Sequence, residues 1–144
     1  SHVMAALIRK FLIAKRDKLN SVTCWGSGQV FREFMHVNDL ADGVIFCLKN
    51  WDPSDKNAPK DSLGQTLNHL NIGTGVDISI KELANKIADF TNFKGKIIWD
   101  KSKPDGTPKK LLDVSRINKL GWKSKINLDY GIKKTIESID SSLF

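Results

Sequence analysis

Long apolar runs are missing from this 144-residue chain. No window approaches the roughly 18 to 20 uncharged apolar residues that a membrane span requires. The opening stretch SHVMAALIRKFLIAKR carries charges where a signal peptide would carry its apolar core, so the chain reads as soluble and unexported. Cysteine is scarce: Cys24 and Cys47 stand alone, neither in a CxxC nor in a Cys/His metal spacing. That excludes a disulfide scaffold, gives no metal site, and fits a reducing cytoplasm. A third glycine is also missing from both glycine pairs, Gly26-Ser27-Gly28 and Gly73-Thr74-Gly75, so neither is a dinucleotide or phosphate-binding fingerprint. There is no internal repeat and no low-complexity tract.

Positive charge is what the chain has in excess, a formal +7, and it is unevenly placed. Residues 1–20 hold five basic residues and one acidic, residues 94–134 twelve and four, whereas residues 21–93 hold six and nine. Two basic segments around an acidic middle can form converging walls for an anionic ligand. From charge alone, two solvated faces are the simpler account.

Periodicity gives an alternation of helices and strands, hence an α/β (mixed α+β) class in one domain's length of chain. Val3, Leu7 and Phe11, with Met4, Ile8 and Leu12 beside them, form the stripe of an amphipathic helix whose only available cap is Ser1. Val22–Trp25 and Val30–Val37 read as strands, and Asn38-Asp39 offers a cap for a helix through Leu40, Val44, Ile45 and Leu48. Residues 50–67 read as a long exposed loop within one domain. His69–Ile72 reads as a strand ending in Gly73-Thr74-Gly75. A capping box, Ser79-x-x-Glu82, opens a helix with Ile80, Leu83, Ala84, Ile87 and Phe90 inward. Lys96–Trp99 reads as a strand, and Asp100–Lys110, dense in Pro, Gly and charge, is expected to be irregular. Ser115–Leu120, stopped by Gly121, and Leu128 to about Ser141 read as closing helices.

Individual residues carry weaker chemistry. His36 and His69 alternate with apolar residues and read as structural. His2 stands at a predicted helix N-terminus, where the helix dipole disfavours added positive charge. Tyr130 and Lys134 match a Tyr-x-x-x-Lys spacing, but two fixed positions recur easily and the pair reads as a coincidence. Cys24 and Cys47 lie on apolar runs and read as buried small hydrophobes. The loop at 103–110 is the strongest unexplained feature: two prolines and a glycine restrict its shape while it displays Lys103, Asp105, Lys109 and Lys110. Trp25 beside its glycine turn could stack a base or fill a core.

Ser1-His2-Val3, Trp25–Gly28, Arg32–Asp39, Asn71–Gly75 and Lys103–Asp113 together resemble the GDP-L-fucose synthase family of extended short-chain dehydrogenase/reductases. The resemblance runs over essentially the whole chain, with Lys103-Pro104-Asp105-Gly106-Thr107-Pro108-Lys109-Lys110-Leu111-Leu112-Asp113 its most specific element. It implies the C-terminal, substrate-binding portion of such an enzyme, residues 1–144 forming a single substrate-binding region without the N-terminal Rossmann half. The family epimerises C3 and C5 of a GDP-4-keto-6-deoxy sugar and reduces C4 with NADPH. The implied roles are His2 as catalytic acid near the nicotinamide, and Lys10, Trp25, Arg32, Asp105 and Lys110 as substrate-binding residues. NADPH would be bound mainly by the N-terminal half, and the longer enzyme would be a cytoplasmic homodimer acting on a GDP-sugar, with no nucleic acid or membrane as partner. The chain alone is expected to show no turnover and to expose apolar surface. A reading of another class is a basic, non-catalytic module for nucleotides or nucleic acid; a third is a related nucleotide-sugar epimerase or dehydratase.

Overall fold

A computed structural model describes residues 2–139. It is mixed α/β and divides into two compact units, the first comprising residues up to Arg32, Asp77–Lys110 and from Asp129, the second Glu33–Val76 and Leu111–Leu128.

In the first unit, α1 (Val3–Arg16) buries Leu7, Ile8, Phe11 and Ala14, the stripe that its i, i+3, i+4 spacing dictates. Its N-cap position is His2 rather than Ser1, which lies outside the described residues; the extended backbone of His2 starts the helix without a side-chain cap. The unit continues with β1 (Ser21–Trp25), the start of β2 (Phe31–Glu33), β3 (Asp77–Ser79), α3 (Ile80–Thr91), β4 (Lys96–Asp100) and β5 (Lys109–Lys110), and ends in α5, which spans Leu128–Ser138. β1 and β4 pair in parallel, with Ser21 opposite Lys96 and Trp25 opposite Asp100. β2 is the centre of a second sheet, ordered β3-β2-β5. Both arms of the Ser79/Glu82 capping box are present at the start of α3. That helix buries Ile80, Leu83, Ala84 and Ile87, but Phe90 is exposed and Thr91 takes the inward place, its Oγ1 donating to Ile87 O at 2.7 Å. The 100° step per residue carries the buried stripe from Ile87 to position i+4 rather than i+3. Phe11 and Phe93 meet edge to face, ring centroids 5.4 Å apart, within this core.

In the second unit, α2 (Val37–Asn50) is capped by His36, whose Nδ1 accepts from Asn38 N, and not by Asn38 or Asp39. Asp39 is buried instead, one carboxylate oxygen accepting from the amides of Lys125 and Ile126 at 2.9 Å each. A turn later, Asp42 accepts from Trp122 Nε1 at 2.8 Å and from Lys125 Nζ at 3.0 Å. These bonds hold the Asp42 carboxyl below the usual carboxylate range. Val114, Ile117 of α4 (Ser115–Lys119) and Trp122 form the core against Met35, Phe46, Cys47 and Ile72. The opposite stripe of α2, Val37, Leu40, Val44, Ile45 and Leu48, is exposed, Leu48 by 82%.

Two strand expectations are corrected. The stretch Val30–Val37 keeps strand geometry only at Phe31–Glu33, because ladder partners exist only there and His36 already begins a helix. His69–Ile72 is irregular: the backbone after it is bonded by a side chain, Glu33, rather than by a neighbouring strand. The loop expectation at 100–110 is corrected at both ends, since Asp100 closes β4 and Lys109–Lys110 pair with Phe31–Arg32.

Candidate functional site

Alternation along β1 turns Val22 and Cys24 inward and Thr23 and Trp25 outward. Trp25 is therefore 68% exposed, at the carboxyl end of a parallel strand. Lys10 reaches it from α1: its Nζ donates to Thr23 O at 2.8 Å and stands 5.5 Å from the indole centroid. Lys103 stands 5.8 Å from the same ring. Two ammoniums within cation–π range of one exposed indole form a cationic shelf. Beside it is a pocket of about 270 Å³ lined by Val3, Ala6, Lys10, Cys24, Trp25 and Trp99, among others. The Cys24 thiol in that wall is pushed up by burial, partly opposed by Lys10, which suits the buried small hydrophobe expected of it.

The 103–110 loop is tied to the turn that follows Trp25. Asp105 accepts from Ser27 N at 2.6 Å and from Ser27 Oγ at 2.7 Å, and the hydroxyl bond first, then the amide, holds its carboxyl below the ordinary range. Gly26, at φ +81°, makes this approach possible: a Cβ there would lie 2.3 Å from Asp105 Oδ1.

The loop ends in β5, where Arg32 is the direct partner of Lys110. Partners across a ladder share a face, so two cations stand side by side. Lys109 pairs with Phe31, its face alternates with that of Lys110, and its Nζ is matched by Asp77 Oδ2 at 3.0 Å. Neither Arg32 nor Lys110 has an acidic partner among the described residues; the Arg32 guanidinium donates to Phe31 O at 2.6 Å and lies beside Gly106. Uncompensated like charges in register disfavour pairing. An anion bound across them removes that penalty.

The structure thus brings Lys10 and Trp25 together, and Arg32 together with Lys110, with Asp105 in the connecting loop. His2 is exposed at the start of α1, about 12 Å along the helix from Lys10 at ~1.5 Å per residue, and does not line the pocket. Lys103 was expected only as one of the charges on its loop, not as a neighbour of Trp25, and Ser27 and Asp77 were not anticipated from sequence. The glycine turn and the charged loop were visible there, but not that they touch. Lys134 stands over the Tyr130 ring at 5.7 Å and donates to Glu137 at 3.0 Å, an arrangement explained by surface packing. His36 has a capping role, and His69 Nδ1 lies 3.0 Å from Asn68 Oδ1.

Glycine-turn amides are the groups that would cradle a dinucleotide's diphosphate. Here they are already taken by carboxylates: Ser27 N by Asp105, and Thr74 N and Gly75 N by Glu33. The described residues therefore do not fit a nicotinamide dinucleotide as its main binding site.

A parallel-sheet α/β chain with a cationic shelf at its strand ends has relatives. The family model "NAD dependent epimerase/dehydratase family" matches residues 1–73, and the chain belongs to that family. Over 135 residues it is 44% identical to a protein described as probable GDP-L-fucose synthase 1 of Oryza sativa subsp. japonica, covering 94% of this chain and 37% of that one. The GDP-L-fucose synthase of Escherichia coli (strain K12) is 42% identical over 137 residues, covering 95% and 41%. Among solved structures, a GDP-6-OMe-4-keto-L-xylo-heptose reductase from C. jejuni superposes with a TM-score of 0.80 at 38% identity, covering 95% of this chain and 47% of that one. The chain spans about two fifths of the length of the curated relatives it matches.

Proposed function

We propose that this chain is the GDP-sugar-binding portion of an NADPH-dependent nucleotide-sugar epimerase/reductase that acts in the cytoplasm and forms GDP-L-fucose from a GDP-4-keto-6-deoxy sugar. The observation that carries the proposal is the Arg32/Lys110 cross-strand pair, two cations in register without an acid beside them. A diphosphate supplies the missing negative charge, and Arg32 offers it a bidentate fork. Trp25 gives the base or sugar a flat apolar face, and Lys10 adds charge at its edge. Asp105 retains acceptor capacity for a ligand hydroxyl or N–H beyond the two bonds from Ser27. His2 serves as the acid of epimerisation and contacts NADPH, which the remainder of a longer, homodimeric protein mainly holds. The exposed α2 stripe agrees with a chain that is completed elsewhere, and the chain by itself has no turnover.

Calorimetric titration with GDP, ADP and a single-stranded oligonucleotide at two salt concentrations tests this. GDP is expected to bind best, and Lys110→Ala to weaken it about tenfold, while Lys109→Ala, whose charge is already met by Asp77, changes little. Oligonucleotide binding with a steep salt slope and no preference for GDP would instead identify a nucleic-acid module. Joined to the missing half, a His2→Ala protein that retained full epimerisation would remove that residue's assigned role.

A further inference from the structure

The contact between Ser27 and Asp105 has a geometry that substrate binding alone does not require. Both oxygens of Asp105 are engaged by one residue 78 positions away, through its amide and its hydroxyl. The Ser27 hydroxyl donates its one proton to Asp105 and also accepts from Gln29 N at 3.1 Å. Among the described residues, the backbone of the 103–110 loop is otherwise bonded at its ends: Lys103 N donates to Asp100 O at 3.2 Å, and Pro108 O accepts from Phe31 N at 2.8 Å. Between those ends, Asp105 carries the tether that crosses to another element, and Gly26 is the residue without a Cβ that lets it close. The loop leads from Lys103 at the Trp25 ring to Lys110 beside Arg32.

We infer that Ser27 is a positioning residue: through Asp105 it fixes the path of the 103–110 loop, and so the placement of Lys103 and Lys110 for an anionic ligand. The inference rests on the GDP-sugar reading for its ligand, though not for the tether itself. Asp105 and Ser27 are both solvent-accessible, so their hydrogen bonds exchange with water at small net gain and contribute little to global stability. Their effect is on order. A loop already held in its bound path does not lose that freedom when ligand arrives, and affinity rises accordingly.

Ser27→Ala removes the hydroxyl bond, and Ser27→Thr keeps it. GDP titration and amide hydrogen exchange across residues 103–110 are measured for both and for the parent chain. Ser27→Ala is expected to bind GDP about tenfold more weakly and to exchange its loop amides faster, with an unchanged melting midpoint, and Ser27→Thr to restore both. Unchanged affinity and unchanged loop exchange in Ser27→Ala overturn the inference. So does a lowered melting midpoint with affinity kept, which would make Ser27 purely structural, or a Ser27→Thr chain no better than Ser27→Ala. Should the parent chain bind no GDP, the substrate reading falls by itself. Loop exchange then decides: faster in Ser27→Ala and rescued in Ser27→Thr supports the positioning role, and unchanged overturns it.

Discussion

Two polar loops in this chain are held in opposite ways. In residues 51–68 each carboxylate closes on its own neighbourhood: Asp52 accepts from Ser54, Asp55 from Asn57, and Asp61 from Leu63 and Gln65, with an isolated bridge between Lys60 and Thr66. In residues 103–110 the carboxylate reaches out of the loop altogether, from Asp105 to Ser27. A local Asx turn shapes a loop without placing it. A bond across 78 positions places it, and the loop so placed is the one that bears cations beside Trp25 and Arg32.

The sharpest way to break this contrast is to add one methyl group to each loop's glycine environment. Gly26→Ala forces a left-handed backbone on alanine and drives its Cβ into Asp105, and urea denaturation is expected to show a loss of about 3 kcal/mol. Gly64→Ala also has positive φ but meets open space, so the expected loss is about 1 kcal/mol. Similar losses at both sites would mean that the 103–110 loop is held no more firmly than its counterpart.

Acid separates the loops more gently. Asp105 and Asp52 are both depressed below the ordinary carboxyl value of 3.8, each by a serine hydroxyl first and that serine's amide second. A depressed folded value stabilises the fold above the unfolded value, and the contribution is lost as pH falls through the folded one, so the relevant window lies below about pH 4. The Asp52 bond to Ser54 spans two residues and partly survives in an unfolded chain, whereas the Asp105 bond cannot. Because both carboxylates are exposed the effect is small: denaturation curves at pH 5 and pH 2.5 should show an acid loss only slightly smaller in Asp105→Asn than in the parent, with Asp52→Asn indistinguishable from the parent. The smallest expected effect is that of Asp55→Ala, which removes one local turn bond and should change stability by about 0.5 kcal/mol or less in the same assay.

Much of the secondary structure was legible because its causes are local. The buried stripe of α1, the alternation in β1, the Ser79/Glu82 box and the stop at Gly121 each depend on residues within a turn or two of one another. The errors fell where a distant group intervened. Glu33 takes Thr74 N, Gly75 N and Leu112 N, and so a strand-like Asn71-Ile72 runs into a carboxylate-bound turn. Asp39 looked like a helix cap but holds the amides of Lys125 and Ile126, leaving the cap to His36. For the site, the residue types at Lys10, Trp25, Arg32, Asp105 and Lys110 were recognisable by resemblance and Lys103 by its place in the charged loop, whereas Ser27, and the approach of Lys103 to Trp25, stood out only once their neighbours were known.

The sequence by itself determined which segments are helical, where the cationic charge is concentrated, and which turns contain the glycines that permit close approach. Tertiary structure alone decided that Lys109 is neutralised by Asp77 while Lys110 stands beside Arg32, although the two lysines are adjacent and chemically identical. The reason is geometric. Successive side chains on a strand face opposite sides, and which side meets an acid and which meets another cation is set by the register of β5 on β2, a pairing between segments more than seventy residues apart.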